Sequence, residues 1–138
     1  DQIPFLLSDT VGFIRKLPHQ LIESFKSTLD EVRDSDILIH VVDLSHKAFS
    51  DHMSIVNETL NELLENPKPT IICFNKIDLV SVQILNEQKN YWRNLEHKIV
   101  FISAQKNMQI KDLKTSLFQL VQDLHYTRFP FNKTTINY

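Results

Sequence analysis

Four short apolar runs, evenly spaced along the chain, most constrain how this chain can fold. They are rich in Ile, Val and Phe and apolar at nearly every position, which is typical of strands buried on both faces of a parallel sheet. Their polar last residues lie 34, 32 and 28 residues apart, a spacing that suits alternating strands and helices rather than hairpins. The runs are residues 3–9, 37–43, 70–75 and 98–103. We therefore expect four parallel strands.

The segments that follow the runs have the apolar period of amphipathic helices. One helix is predicted after each run, and Ser50 is the predicted N-cap of the second helix. The apolar stripes are Leu21, Phe25, Leu29 and Val32; Met53, Val56, Leu60 and Leu63; Val82, Leu85 and Trp92; and Ile110, Leu113, Leu117, Leu120 and Leu124. The predicted fold class is α/β, an open parallel sheet with helices on both faces.

Composition limits the class of protein. The chain has 138 residues, enough for one domain with a sizeable core, and a net charge of −2 gives no general attraction to nucleic acid or membranes. No apolar stretch approaches the roughly 18 residues that a membrane-spanning helix needs. The single cysteine, Cys73, lies inside an apolar run, which indicates a packing role and a reducing compartment. We therefore expect a cytoplasmic protein.

A polar residue closes each of the four runs: Asp9, Asp43, Asn75 and Ser103. The carboxyl ends of parallel strands meet at one edge of the sheet, and ligands of such sheets bind at that edge. We therefore expect the chemistry of this protein to lie there.

The sequence DTVGF, residues 9–13, begins at the last residue of the first run and matches the DxxG element of P-loop GTPases. The carboxylate of Asp9 can orient a water molecule on Mg²⁺. Gly12 lets its own main-chain N–H approach a γ-phosphate, because no Cβ stands in the way. Together with Thr10 and Val11, these residues are candidates for nucleotide binding, and Asp9 is the candidate metal ligand.

The sequence NKID, residues 75–78, begins at the last residue of the third run and fits the guanine-specificity motif NKxD. Guanine presents two neighbouring donors, N1–H and the N2 amine, and the carboxylate of Asp78 can accept both, whereas adenine offers no such pair. The alkyl stem of Lys76 can lie over the plane of the base. Asn75 can tie this loop to neighbouring loops through its amide. Ile77 completes the motif.

The sequence ISAQ, residues 102–105, spans the end of the fourth run and fits the SAK motif, which comes after NKxD in GTPases. The main-chain N–H of Ala104 would reach guanine O6, and Ser103 would brace the turn. Gln105 replaces the usual lysine, and Lys106 follows it. Because the donor is a main-chain group, this difference does not remove the predicted contact.

Residues 9–46 resemble the HflX family of GTPases, which are implicated with the large ribosomal subunit. The diagnostic parts are Phe13, directly after the DxxG glycine, then IRKLP and ESFKSTLDEV. The resemblance covers residues 1–125, as the C-terminal portion of a GTPase domain, and leaves residues 126–138 as a C-terminal extension. It implies GTP or GDP and Mg²⁺ as ligands, GTP hydrolysis by the parent protein, and the large ribosomal subunit as a partner.

No GxxxxGK[ST] motif occurs in these 138 residues, which contain one glycine, Gly12. In P-loop enzymes that motif cradles the phosphates and helps to bind Mg²⁺. We therefore expect a P-loop GTPase fold that lacks its first two strands and its P-loop. We expect the chain alone to be inactive, to bind nucleotide feebly, and to self-associate, because the first run would lack its inner neighbouring strand.

Phe13 occupies the place where Ras-type enzymes carry a glutamine that orients the attacking water. Phenylalanine has no hydrogen-bonding group, so no catalytic residue is assigned, and slow hydrolysis that a partner accelerates is expected. Two alternatives stay open. One is a non-catalytic pseudo-GTPase module, and the other is a receiver-like signalling domain with Asp9 and Asp43 in an acidic pocket.

Overall fold

The computed structural model describes residues 3–10 and 29–130. Its sheet has three parallel strands, in the order β1 (Leu38–Asp43), β2 (Thr70–Asn75) and β3 (Lys98–Phe101). Each strand lies within one of the predicted apolar runs, and β2 coincides with its run. The parallel α/β architecture predicted from the spacing of the runs is therefore confirmed.

The first predicted strand is wrong. Residues 3–9 form no β-structure and belong to no sheet, and the side chains of Leu6 and Leu7 are 92% and 71% exposed. A strand needs a neighbour whose main-chain groups pair with its own. None of the described strands pairs with this segment: β1 pairs with β2 alone, and its outer edge carries no described strand. The apolar pattern identified a segment suited to burial but not the neighbour that it requires.

The helices alternate with the strands as predicted. In the described part of the chain, α1 comprises residues 29–34, α2 is Phe49–Leu63, α3 is Val82–Trp92 and α4 is Ile110–Arg128. A short 3-10 turn, Ile77–Leu79, follows β2. None of the described helices combines the length and the apolar character needed to cross a bilayer.

The predicted N-cap of α2 is wrong. The helix begins at Phe49, directly after Ala48, and Ser50 lies inside its first turn. The turn before the helix already satisfies the main chain there, because His46 Nδ1 accepts a hydrogen bond from the Ala48 N–H at 3.0 Å. Ser81 does cap α3, since its side chain accepts a hydrogen bond from the Ile84 N–H.

Two apolar cores lie on opposite faces of the sheet. On one face, Phe74 of β2 is fully buried and packs with residues of α2 and α3. On the other face, Ile71 and Cys73 of β2 pack with Val100 against α4. Neighbouring residues of β2 thus alternate between the two cores, which confirms helices on both faces and explains why residues 71–74 are all apolar.

The amino edge of the sheet is held by two charged side chains. Lys68, just before β2, donates hydrogen bonds from Nζ to the carbonyl oxygens of Val32, Arg33 and Ser35, at 2.9 Å for the first, and so caps the end of α1. Arg128, at the end of α4, forms a two-pronged ion pair with Asp36, and its hydrogen bonds hold the pKa of that carboxyl below its usual value.

Helix α4 ends at Arg128, so regular structure continues past residue 125. The expected boundary between the domain (1–125) and the extension (126–138) stays a prediction. Residues 131–138 of that extension lie outside the described residues.

Candidate functional site

The amide of Asn75 joins two loops at the carboxyl edge of the sheet. Its Oδ1 accepts hydrogen bonds from the main-chain N–H of Lys76 at 2.8 Å and from that of Ala104 at 3.0 Å. A main-chain bond of 3.1 Å from the N–H of Ile77 to the carbonyl of Ile102 adds a second link. The loop after β2 and the loop after β3 therefore form one unit.

The loop after β2 has a defined shape because several contacts specify it. Lys76 adopts the left-handed conformation, with φ 67° and ψ 35°, which is unfavourable for a residue with a Cβ. The Leu79 N–H closes the 3-10 turn onto the Lys76 carbonyl at 3.0 Å. Ile77 points into the core, whereas Asp78 beside it is half-buried. The turn thus anchors an apolar side chain and leaves a carboxylate within reach of a ligand.

Asp43, at the end of β1, contacts the same loop from the neighbouring strand. Its Oδ2 accepts a hydrogen bond from Lys76 Nζ at 2.6 Å, and its Oδ1 accepts from the Ser45 hydroxyl and main-chain N–H at 2.6 and 3.0 Å. Burial by itself would raise the pKa of Asp43, but the hydrogen bonds from Lys76 and Ser45 outweigh it and hold that pKa below its ordinary value. The carboxylate therefore stays ionised.

The loop after β3 is a tight turn built on Ser103. This residue is fully buried, exchanges two main-chain hydrogen bonds with Met108, and accepts one from the Lys106 N–H on its Oγ at 3.1 Å. Ser103 therefore braces the turn, while Ala104 and Gln105 are exposed at its tip. The Ala104 N–H, predicted to reach guanine O6, already donates to Asn75 Oδ1.

Of the remaining predicted site residues, the structure describes Asp9 and Thr10 alone. Asp9 and Thr10 lie in the exposed segment 3–10, outside the sheet. Val11 and Gly12, and Phe13 in the usual place of glutamine, lie outside the described residues. Within the described ranges, no three His, Cys, Asp or Glu side chains are close enough to hold a metal ion.

Motif matching missed the contribution of Asp43. No motif closes the second apolar run, so its aspartate stood out only as a polar strand end. The relevant information is the strand register, which pairs Asp43 with Asn75 across the β1–β2 ladder. Two polar residues that end adjacent parallel strands in register lie side by side. This pattern could have identified the contact between Asp43 and the loop that begins at Asn75.

The chain matches known GTPases in sequence. The protein family described as 50S ribosome-binding GTPase matches residues 1–76. A GTPase HflX of Flavobacterium psychrophilum is 47% identical over 95% of this chain and 36% of that protein. Those of Caldanaerobacter subterraneus and Chlamydia pneumoniae are 34% and 38% identical, over 94% and 93% of this chain and 29% and 27% of their own lengths. The chain thus spans about a third of these relatives.

Solved structures agree with the sequence matches. Crystal structures of two SsGBP mutation variants superpose with TM-scores of 0.70 and 0.74, at 31% and 28% identity, and each match covers 85% of this chain. The matches cover 42% and 43% of the two solved chains. They support a P-loop GTPase-like α/β fold and leave no support for the receiver-like interpretation. Since the family match alone covers more than half of the sequence, the chain belongs to the 50S ribosome-binding GTPases, and within them to the HflX group.

Proposed function

We propose that this chain supplies the guanine-recognition part of the GTP-binding site in an HflX-type GTPase. The observation that carries the proposal is the Asn75 amide, which holds the NKID loop and the Ser103 turn together through one oxygen atom. A base that enters between these loops meets a carboxylate from one and main-chain groups from the other. The main chain of both loops is held by these hydrogen bonds, so the loops need little ordering on binding.

Asp78 is the proposed specificity residue. Its carboxylate would accept hydrogen bonds from guanine N1–H and the N2 amine, and both would be charge-assisted. The stem of Lys76 would cover one face of the base. Ile77 would serve as the buried anchor of this loop.

The Ser103 turn would bind the base at O6, next to the N1–H that Asp78 would bind. Because the Ala104 N–H donates to Asn75 Oδ1 in the structure, O6 would share this donor with the amide or take it over. Ser103 would maintain the conformation of the turn through its hydrogen bonds, and Gln105 would occupy the position of the usual lysine.

Asp9, Thr10, Val11 and Gly12 are proposed to approach the phosphates and Mg²⁺. A carboxylate oxygen such as that of Asp9 suits Mg²⁺, which usually binds one or two carboxylates together with phosphate oxygens and water. When bound, the ion would neutralise charge on the phosphates. Asp9 is exposed in the structure and therefore accessible to such an ion.

The parent protein is proposed to hydrolyse GTP in the cytoplasm, in association with the large ribosomal subunit. The 138 residues by themselves are proposed to be inactive and to bind nucleotide feebly, since they contain no GxxxxGK[ST] sequence. Phe13 has no group that could orient a water molecule, so we expect the basal rate to be low until a partner acts.

The test is a competition experiment with the purified full-length protein. A fluorescent GTP analogue is displaced with GDP or with ADP, and its hydrolysis is followed alongside. We expect displacement by GDP and not by ADP, and only weak binding of the analogue by the 138-residue chain. Equal displacement by both nucleotides would refute the proposed guanine site. Binding without any hydrolysis, with or without ribosomes, would favour the alternative of a non-catalytic pseudo-GTPase module.

A further inference from the structure

We propose that Asp43 is a positioning residue that fixes the side chain of Lys76 before the nucleotide arrives. The inference rests on the proposed function, because it assigns a role to a neighbour of the guanine-recognition loop. It adds a residue from β1, the strand whose end carries no GTPase motif.

The main-chain end of Lys76 is fixed by the loop itself. Its N–H donates to Asn75 Oδ1, and its carbonyl accepts the hydrogen bond that closes the 3-10 turn. In the left-handed conformation of this residue, the side chain leaves the loop towards the end of β1, where Nζ meets Asp43. The direction of the side chain at its base is therefore set by the backbone.

The charged end of Lys76 is fixed by a carboxylate that is itself held in place. Asp43 lies directly opposite Asn75 in the β1–β2 ladder, so its side chain rises beside the loop. Ser45 occupies Oδ1 with two hydrogen bonds, which leaves Oδ2 directed at Lys76 Nζ. Asp43 thus holds its orientation through Ser45 and does not depend on the lysine for it.

The four-carbon stem of Lys76 is therefore stretched between two fixed ends. A lysine side chain is otherwise flexible, and ordering it on binding would weaken the affinity for the base. Asp43 removes part of that cost without touching the nucleotide, since both of its oxygens already have partners. The effect should be modest, because the side chains of Lys76 and Asp43 are 48% and 36% exposed. We expect about a three- to fivefold change in the dissociation constant.

The first readout needs no nucleotide. In the ¹⁵N-labelled chain, the ammonium group of Lys76 should give a side-chain NMR signal protected from exchange with water. The Asp43→Asn variant should lose this signal while its main-chain amide spectrum stays folded, and Asp43→Glu, which keeps a carboxylate, should retain part of it. An unchanged Lys76 signal in Asp43→Asn overturns the inference.

The second readout is a double-mutant cycle of Asp43→Asn and Lys76→Met in the full-length protein, measured as GDP affinity. Asp43→Asn should weaken binding by about three- to fivefold in the wild-type background and have no effect once Lys76 is replaced. The matched control is Asp36→Asn, which removes an ion-paired aspartate at the opposite edge of the sheet and should leave the affinity unchanged.

The two hypotheses fail in different ways. If the wild-type protein binds no guanine nucleotide, the proposed function is refuted. If it binds GDP but Asp43→Asn has the same affinity, or loses affinity equally in both backgrounds of the cycle, only the role of Asp43 is refuted.

Discussion

At the scale of single residues, the site depends on a few side chains that each hold main-chain groups in place. The motif NKID suggested that Asn75 connects loops, and the structure shows its Oδ1 between Lys76 and Ala104. The contact between Asp43 and Lys76 could not be read from either motif, because it depends on the register of two strands. The sequence suggested the link between loops through Asn75, but not the atoms that form it.

Replacing Asn75 with alanine should destabilise the folded chain. The change removes the oxygen that accepts hydrogen bonds from the N–H groups of Lys76 and Ala104, and because both bonds are exposed to water, we expect a loss of about 0.5–1.5 kcal/mol per bond. Urea unfolding measures the loss. Asn57→Ala, an exposed position in α2, is the control and should stay within about 0.5 kcal/mol of the wild type. Equal stability of the two variants would contradict the bridging role.

Cys73 makes the stability of the chain sensitive to alkaline pH. Burial raises the pKa of this thiol to about 11, whereas an unfolded cysteine titrates near about 8.5. Between these values the unfolded chain has lost the proton and the folded chain keeps it, so the free energy of unfolding falls as pH rises. By pH ~10 the loss should reach about 1–2 kcal/mol relative to neutral pH.

The matched comparison for Cys73 is Cys73→Ala, measured by urea unfolding at each pH. Other groups titrate in both proteins alike, so the difference between the two curves isolates the thiol. We expect the wild type to lose more stability than the variant from pH 8 to pH 10. Parallel curves would show that the thiol ionises equally in both states.

At the scale of secondary structure, the apolar pattern predicted three strands and helices α2, α3 and α4 well, because it reflects burial; Leu21 and Phe25 of the first predicted helix lie outside the described residues. Residues 71–74 of β2 are all apolar, since the strand has a core on each face. The same pattern failed for residues 3–9, where the missing element is a hydrogen-bonding neighbour rather than apolar character. The start of α2 was misplaced for a related reason, because the cap comes from a turn before Phe49 and not from a serine in the sequence pattern.

Lys68 should stabilise the end of α1, and Lys68→Met tests this. The ammonium group donates to three carbonyl oxygens at and just after the end of the helix, those of Val32, Arg33 and Ser35, so its loss should cost about 1–3 kcal/mol. Faster hydrogen exchange should be confined to residues 29–34 and their neighbours. Lys114→Met, at an exposed lysine of α4, should change neither quantity. Exchange that is equally slow in both variants would rule out the capping role.

At the scale of the whole molecule, the two edges of the sheet have different roles. Its carboxyl edge carries the proposed guanine site, whereas its amino edge is tied by Lys68 and by the pair of Asp36 with Arg128. The sequence was sufficient for the fold class and the family, because three motifs follow apolar runs in the order expected of a GTPase. It could not show that residues 3–9 stay outside the sheet, since that depends on what lies beside β1.

The chain should self-associate through its exposed apolar segment. Leu6 and Leu7 are largely exposed, and the outer edge of β1 carries no strand among those that the structure describes. Exposed apolar surface next to a free strand edge favours pairing between chains. Light scattering should give a mass above 16.2 kDa that rises with concentration. Leu6→Lys should lower it, whereas Val82→Lys, an exposed position on α3, should not. A monomer at all concentrations would contradict this prediction.

The central claim, that this chain recognises guanine through Asp78, is tested most directly by the Asp78→Asn variant of the full-length protein. An amide offers one acceptor and one donor, so it loses a partner for the N2 amine of guanine but complements xanthine, which carries an oxygen at C2. We predict that the variant binds GDP at least about tenfold more weakly than the wild type and prefers xanthosine diphosphate to GDP. Unchanged affinity for GDP, with no gain for the xanthine nucleotide, would contradict the account.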